Sequence, residues 1–586
     1  HTPTRFLIFS HLSYVPPMLS HTTRPAFACA WRAAALARPA SLLLAPALPP
    51  RMRGAGLRVH TSTAEEGSSG PSSASGSDGG TGGSGKRGKW SWKKRVVVGA
   101  LGLWAAVWVA DYVYNEEVDV VVENLLRSRL TEEERQRRPK LVILGTGWAA
   151  LSLIRSLQTD KFNVFLISPR NYFLFTPLLP STTTGLLEPR SIIEPIRKFC
   201  LRSDASDVRF VEAECVSIDP VTKKVVCEDN SAVKGLLSKF ELEYDHLVVA
   251  CGAEAATFGV PGVKEYGCFM KEIPDAVNIR NRIMDCLETA CIPGQPSSEI
   301  DRLLHFVVVG GGPSGVEFSG ELSDFLERDA KRAFPQFKDR IKITLVEALP
   351  KILGMFDQQL IDYAEENLAK AKAITVKTRL AVTDVREHEL TMKSMETGEK
   401  TDVPYGMLVW VTGNTPRPVI TDLIKKIGPV QNSRRGLVVD DYFRVKGVEN
   451  IWALGDCTFT QYPATAQVAS QEGRYLGKLF NKLNAVIDED VHSTTNQARL
   501  PEALATQEPF QYHHLGSFAY VGNHSAIAQF NSQDAKKKDA LMFTGYSTFI
   551  LWRSVYLSKL LSYKNRCLVT FDWVKNTVFG SDISRC

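Results

Sequence analysis

Leu141-Val142-Ile143-Leu144-Gly145-Thr146-Gly147-Trp148-Ala149-Ala150 carries an apolar run into a glycine turn and then into a helical pattern. The same grammar returns 165 residues later in Phe306-Val307-Val308-Val309-Gly310-Gly311-Gly312-Pro313-Ser314-Gly315. A glycine-rich turn alone says little, but at the exit of a β-branched strand and the mouth of a helix it reads as a dinucleotide cradle. One glycine makes the tight turn, a second lets the backbone approach a pyrophosphate, and a third small residue (Ala150, Gly315) lets helix and strand pack closely. The helix N-terminus offers unpaired N–H groups and a partial positive charge to the phosphates. Two such cradles predict an α/β chain with two Rossmann-like dinucleotide-binding domains. They also predict two dinucleotides brought together, a flavin and a nicotinamide.

The strand after the second cradle, Ile341–Val346, ends in Glu347. A carboxylate there accepts hydrogen bonds from an adenosine ribose and repels a 2′-phosphate, which favours NADH over NADPH. The matching strand of the first domain, Asn163–Ser168, ends in a hydroxyl and continues Pro169-Arg170. Ser168 can still bond a ribose, and Arg170 can reach phosphate or stack on adenine. Two further strand-to-glycine turns lead back to the first cofactor: Tyr244–Ala253, which contains Gly252, and Ile451–Asp456, which ends Gly455-Asp456. Thr412-Gly413-Asn414 closes the second domain in the same manner. Glu317 and Glu321 lie four apart on the second cradle's helix. They read either as solvated glutamates or, for Glu317, as a group close to nicotinamide or flavin.

Charge is divided unevenly along the 586 residues. Residues 1–95 hold 13 Lys/Arg against 3 Asp/Glu, leaving 57 and 61 for the remainder. The basic excess therefore belongs to the leader, and nothing argues for nucleic-acid binding. Residues 1–62 contain seven arginines and no acid, the composition of an organellar transit peptide. Residues 63–95 form a Ser/Gly-rich and then basic linker. Within 96–114 lie fifteen consecutive uncharged residues with Trp104 and Trp108, flanked by six basic residues before and acids after. That segment is a candidate membrane anchor, with a buried or interfacial helix as the alternative because about 20 residues are expected for a span. A spanning segment would leave the body facing the intermembrane space. The 11 cysteines show no C-x-x-C pair and no metal-ligand spacing, so no metal site is expected. Cys251 and Cys457 fall at strand ends, where redox chemistry and plain packing both stand as readings. Residues 348–405 hold no EF-hand loop, so no calcium site is expected.

Beyond the cradles, the runs Gly145–Ala150, Ser168-Pro169-Arg170-Asn171-Tyr172-Phe173-Leu174-Phe175-Thr176-Pro177-Leu178-Leu179-Pro180 and Arg190–Arg197 closely resemble the type II NADH:quinone oxidoreductases, the single-subunit alternative NADH dehydrogenases. The resemblance covers roughly residues 139–585. It implies that the first cradle holds FAD, with Thr176 and Pro177 near the flavin; in flavoproteins with paired nucleotide domains a Gly-Asp such as Gly455-Asp456 sets its carboxylate on the ribityl chain, the alternative being an Asp that caps the following turn. The resemblance also implies that Ala466-Gln467-Val468-Ala469-Ser470-Gln471-Glu472 lies where flavin and quinone meet. Gln467 and Gln471, four apart on one helix face, are then candidates to orient the quinone head group. The family's closing Gly-Arg-Asp is Gly580-Ser581-Asp582 here.

The expected activity is a non-pumping NADH:ubiquinone oxidoreductase of the mitochondrial inner membrane, with a plastid address open. Enzyme alternatives are an NADH-dependent reductase of a redox protein or of oxygen; a binding alternative resembles apoptosis-inducing factor. The expected layout is an FAD domain at 138–265 and 426–505, an NADH domain at 266–425, and a C-terminal membrane-association or dimerisation segment at 506–586. In that segment Tyr546–Tyr563 is an amphipathic helix suited either to a bilayer or to the protein body. A homodimer and a lipid surface are the expected partners besides ubiquinone.

Overall fold

The computed structural model describes residues 131–202, 205–206, 208–492, 499–530 and 541–585, all within the compact unit Gly88–Cys586. The expected transit peptide, linker and membrane anchor lie outside the described residues.

Two five-stranded parallel sheets organise the body. The first contains β1 (Lys140–Leu144), followed by helix α1 (Trp148–Ser156), then β2 (Asn163–Ser168), β3 (Val208–Glu212) and β4 (His246–Val249). The second contains β5 (Cys268–Phe269), followed by helix α2 (Ile273–Ala290), then β6 (His305–Val309), helix α3 (Pro313–Phe325), β7 (Lys342–Val346), β8 (Ile374–Lys377) and β9 (Met407–Trp410). The chain then returns to the first sheet as β10 (Ile451–Ala453) and enters the long helix α4 (Ala466–His492). Strand order is β10-β4-β1-β2-β3 in one sheet and β5-β9-β6-β7-β8 in the other. The continuous apolar runs Leu141–Leu144 and Phe306–Val309 follow from this, since a central parallel strand is covered on both faces.

The two sheets repeat one plan. Each central strand feeds its glycine turn, and the edge strand two places beyond it, β3 or β8, is followed by a three-stranded antiparallel insert, 214–243 in one and 380–404 in the other. Ligands bind beyond the carboxyl ends of such strands, where the order reverses. Here that is the end of β1 and of β6.

The return to the first domain comes earlier than the expected residue 426. Helix Pro418–Ile427 buries Val419, Ile420 and Leu423 in one cluster with Leu144, Ile167 and Ile218 of the first domain. Its apolar face, rather than the sequence position of the last strand, sets the boundary.

The C-terminal region is not wholly helical. An antiparallel sheet of β11 (Ser517–Tyr520), β12 (Ala526–Phe530) and β13 (Leu541–Gly545) precedes helices α5 (Tyr546–Lys559) and α6 (Tyr563–Phe579). Helix α5 buries Phe549, Trp552 and Leu557 against the body. Of the two readings open for this helix, packing on the protein holds. The exposed apolar stripe lies on α6 instead: Leu568, Phe571, Val574 and Val578 stand out at helical spacing, with Phe571 64% and Val578 66% exposed. Among the described residues no helix is long and apolar enough to cross a membrane.

Candidate active site

One cavity of ≈ 670 Å³ runs from the first glycine turn to the second. Its wall includes Gly145, Thr146, Gly147, Trp148 and Ala149 of the first cradle, then Ser168, Pro169, Arg170, Thr176, Gly252, Gly455, Asp456 and Ala466. From the second domain come Gly312, Pro313, Gly413 and Asn414. The structure thus brings most of the expected residues of both domains to a single space.

The glycines divide their work as the cradle chemistry requires. Gly145 has φ +110°, and a Cβ there would sit 2.3 Å from the Ala250 carbonyl oxygen. Gly310 has φ +121° and is hemmed in by Val411 and Thr412. The next glycine of each motif, Gly147 and Gly312, would point a Cβ into open space, and both line the cavity. At the third position Ala150 is fully buried, and a Cβ on Gly315 would lie 1.9 Å from the Gly310 carbonyl oxygen. Bare backbone therefore faces the cavity at the amino end of α1 and of α3, where a pyrophosphate is held by unpaired N–H groups. The residues present fit two dinucleotides.

Around the first cradle the Thr146 and Ser168 hydroxyls are 3.1 Å apart, and Ser168 Oγ accepts from the Arg170 N–H at 3.2 Å. The Arg170 guanidinium pairs with Glu272. Trp148 Nε1 donates to Thr176 Oγ1 at 3.0 Å, fixing the indole beside the turn that begins Thr176-Pro177. Pro177 is not among the residues lining the cavity. Asp456 is half-buried; that burial raises its carboxyl above the ordinary range, and the Lys271 ammonium opposes the shift. Lys271 Nζ donates to Asn414 Oδ1 at 2.6 Å, a bond within the second domain that sets its ammonium toward Asp456 of the first.

Around the second cradle Glu347 Oε2 accepts from the Gly311 N–H at 2.6 Å and Oε1 from the Leu349 N–H at 2.8 Å. The carboxylate is held at the edge of the glycine turn and is not fully buried. Glu317 does not line the cavity. It is buried, and its Oε1 accepts from the Tyr520 N–H at 3.2 Å. Burial pushes its carboxyl up to about 8; that of Glu321, which accepts from Ser181 Oγ at 2.8 Å, is pushed up to about 7 by burial and then by Asp324. Neither is a solvated surface glutamate.

Gln467 and Gln471 do share one face of α4, but both amides are engaged. Gln467 Oε1 accepts from Tyr512 Oη and from the Leu515 N–H (3.0 Å). Gln471 pairs with the His513 backbone in both directions, at 2.8 and 3.0 Å. They hold residues 512–516 against the helix that closes the first cradle. A direct contact of either amide with a quinone would have to replace those bonds.

Several functional residues escaped the sequence reading. Lys271, Glu272 and Arg417 belong to no local pattern. Arg417 Nε donates to the Cys251 carbonyl at 2.8 Å and its guanidinium lies within 4 Å of Glu254 and Glu272. Glu472 is buried and accepts from the Gly455 N–H at 2.6 Å, fixing the turn that presents Asp456. Gly473 and Gly477, four apart, did carry a readable signal. A Cβ on Gly473 would lie 2.1 Å from the Ala149 carbonyl oxygen and one on Gly477 2.8 Å from Ser156 Cβ. Only glycine allows α4 to lie this close upon α1.

Paired cradles opening on one cavity, the second with a strand-end carboxylate held at its glycine turn, define a flavin- and pyridine-nucleotide-dependent oxidoreductase. Comparison with known proteins agrees in detail. Residues 139–473 match the pyridine nucleotide-disulphide oxidoreductase family, and residues 514–582 match the NDH2 C-terminal domain. A probable mitochondrial NADH-ubiquinone oxidoreductase of Schizosaccharomyces pombe is 45% identical over 76% of this chain and 83% of its own length. The external alternative NADH-ubiquinone oxidoreductase of Yarrowia lipolytica is 43% identical over 76% and 80%. The structure of NDH2 from Plasmodium falciparum in complex with NADH superposes with a TM-score of 0.68 at 29% identity, covering 76% of this chain and all of that one. This chain belongs to the family of alternative NADH-ubiquinone oxidoreductases.

Proposed function

We propose that this chain is a mitochondrial NADH:ubiquinone oxidoreductase that does not pump protons. The observation that carries the reading is that Gly147 and Gly312, the cavity-facing glycines of two separate cradles, line one continuous space. When bound there, FAD supplies the carrier that accepts a hydride from NADH and passes two electrons to ubiquinone. The protein's part is placement. Gly145, Gly147 and the amino end of α1 hold one diphosphate; Gly310, Gly312 and the amino end of α3 hold the other. Asp456, oriented by the Glu472-anchored turn, is placed for the ribityl chain, and Glu347 for the ribose of NADH. Lys271, bonded to Asn414 and facing Asp456, keeps positive charge beside the space where reducing equivalents gather. Gln467 and Gln471 act as positioning residues through 512–516.

The exposed stripe of α6 supports contact with a lipid surface, from which a long-tailed quinone is most easily reached. A second copy seated on the stripe is the competing occupant. Purified yellow protein should oxidise NADH slowly alone and rapidly with a soluble ubiquinone. Quinone-independent oxidation with a long-lived coloured NADH complex would instead favour the interaction flavoprotein. Full-chain Phe571→Ser/Val574→Ser should keep the soluble-quinone rate while floating less with anionic phospholipid vesicles; unchanged flotation would remove the lipid assignment. Acidification of sealed vesicles during turnover would contradict the absence of pumping.

A further inference from the structure

The antiparallel insert of the first domain carries two cysteines that the electron-transfer reading does not use. Cys215 lies on the strand Glu214–Asp219 and Cys227 on Lys224–Glu228, and the two are in direct register across the pair. Residues opposed in this way have Cα atoms about 4.5–5.5 Å apart. That falls within the range a disulfide spans, roughly 4.4–6.8 Å. The register shifts between Cys215 and Ser217, so the chain bulges beside the first thiol. Glu214, Cys215 and Val216 form part of the cavity wall next to Ser168 and Arg170. Cys227 is fully buried in the core behind them.

We propose that Cys215 and Cys227 are a reversible dithiol–disulfide modification site, set in the wall of the dinucleotide cavity. Cys215, facing the cavity, is the thiol an oxidant meets first. The hydrogen bond between the two thiols holds the Cys227 thiol below the ordinary range, on the side of the sulfur that closes the bridge, and Cys215 above it. With a peroxide as oxidant, the Cys215 sulfur takes one oxygen and the first water leaves. The Cys227 sulfur then displaces the second water, closing the S–S bond. Two thiols lose two electrons, and the peroxide O–O bond takes them up. Because Cys227 is buried in the core, the new bond turns the Cys215 side chain inward and withdraws it from the cavity wall. FAD retention should fall as a result; this consequence rests on FAD occupying the cavity as proposed above.

The other neighbouring thiols, Cys251 and Cys457, are the poorer pair. They lie beyond the paired residues 247–249 and 451–453 of their strands, and the fully buried Cys457 S–H has the Leu454 and Val249 carbonyls within reach at 3.1 and 3.3 Å.

The test uses the full-length holoprotein, treated with hydrogen peroxide, alkylated and mapped by peptide mass spectrometry. A Cys215–Cys227 cross-linked peptide, reversed by dithiothreitol and absent from Cys227→Ala, is expected. Flavin fluorescence should report several-fold faster FAD release from the oxidised wild type and no change in treated Cys227→Ala. Should that variant fail to fold, Cys215→Ser must also lose the cross-link. Full alkylation of both thiols after treatment, oxidation of Cys215 to a sulfinic acid without cross-linking, or a bridge between other cysteines would overturn the site. A cross-link with unchanged release would overturn its coupling to the cofactor. Chain that never holds flavin counts against the functional reading alone, because the mass measurement still decides the dithiol.

Discussion

The two cradles share strand order, glycine spacing and insert position, yet they close differently. The first is capped by α4, laid on α1 through Gly473 and Gly477, and its strand-end residue is a hydroxyl tied to Thr146. The second has a charged strand end, Glu347, held against its own glycine turn by two backbone N–H groups and still partly open. One design suits a group that stays, held mostly by backbone and a covering helix. The other suits a group that must be recognised afresh and released every cycle. The same fold thus serves retention in one half and exchange in the other, and the difference lies in a handful of residues rather than in topology.

The sharpest way to break that division is to block each cradle separately. Gly145→Val combines a φ of +110° with a Cβ only 2.3 Å from backbone that cannot yield, so the purified variant should be colourless. Gly315→Val meets the Gly310 carbonyl at 1.9 Å, which separates α3 from its strand. It should stay yellow but bind NADH about 100-fold more weakly or worse, roughly 3 kcal/mol. Flavin absorbance and NADH titration read the two outcomes. A Gly315→Val protein that loses its colour as well would show that the halves are not separable.

Next in size is Glu347→Gln. The substitution removes charge-assisted bonds to the Gly311 and Leu349 N–H groups and, on the proposed function, the carboxylate offered to the ribose. Hydrogen bonds to a charged group contribute about 1.5–3 kcal/mol, so kcat/KM for NADH should fall roughly 10- to 100-fold. Loss of a negative charge that repels a 2′-phosphate should narrow the preference over NADPH. Wild-type protein using both nucleotides equally at neutral pH would refute the exchange-site role given to this residue.

How far the sequence reaches follows the same line. The cradles were legible because their requirements are local: an apolar strand, a turn only glycine can make, a helix start. Glu347 was legible as a strand-end acid. Lys271 and Arg417 were not, because they reach the cavity from the flanks of elements brought there by long-range packing. The C-terminal sheet was invisible for a different reason. Ser517–Tyr520 and Ala526–Phe530 are short and their burial depends on α3 and α5. The contact that places them is Gly522 against Gly320, where a Cβ on Gly320 would lie 2.7 Å from backbone. Periodicity alone could not tell a helix facing the body from one facing lipid. Tyr546–Tyr563 was singled out with bilayer and protein body both open, whereas the outward stripe at Leu568, Phe571, Val574 and Val578 went unread within the closing segment. Gln467 and Gln471 were correctly set on one face, but their partners, 42 to 48 residues away, had no sequence signature.

The smallest expected effect sharpens the comparison at the helices themselves. The first cradle's helix, Trp148–Ser156, carries no acid, whereas α3 buries Glu317 and Glu321. Both carboxyls are raised by burial from 4.5, to about 8 and about 7. Between those limits the folded chain binds more protons than the unfolded one, so stability falls as pH rises. The contribution of the protonated forms is complete below about 4.5 and is lost as pH passes 7 and then 8. Glu321→Gln fixes that position neutral at every pH while its amide oxygen can still accept from Ser181. Relative to wild type it should melt on the order of 2 °C higher at pH 8 and no higher at pH 5, for a change of about 1 kcal/mol. Thermal melts across that range decide it. An equal shift at both pH values would mean that packing, not protonation, governs the site. No difference at all would mean that the buried acids of the second cradle carry no cost that the acid-free helix of the first avoids.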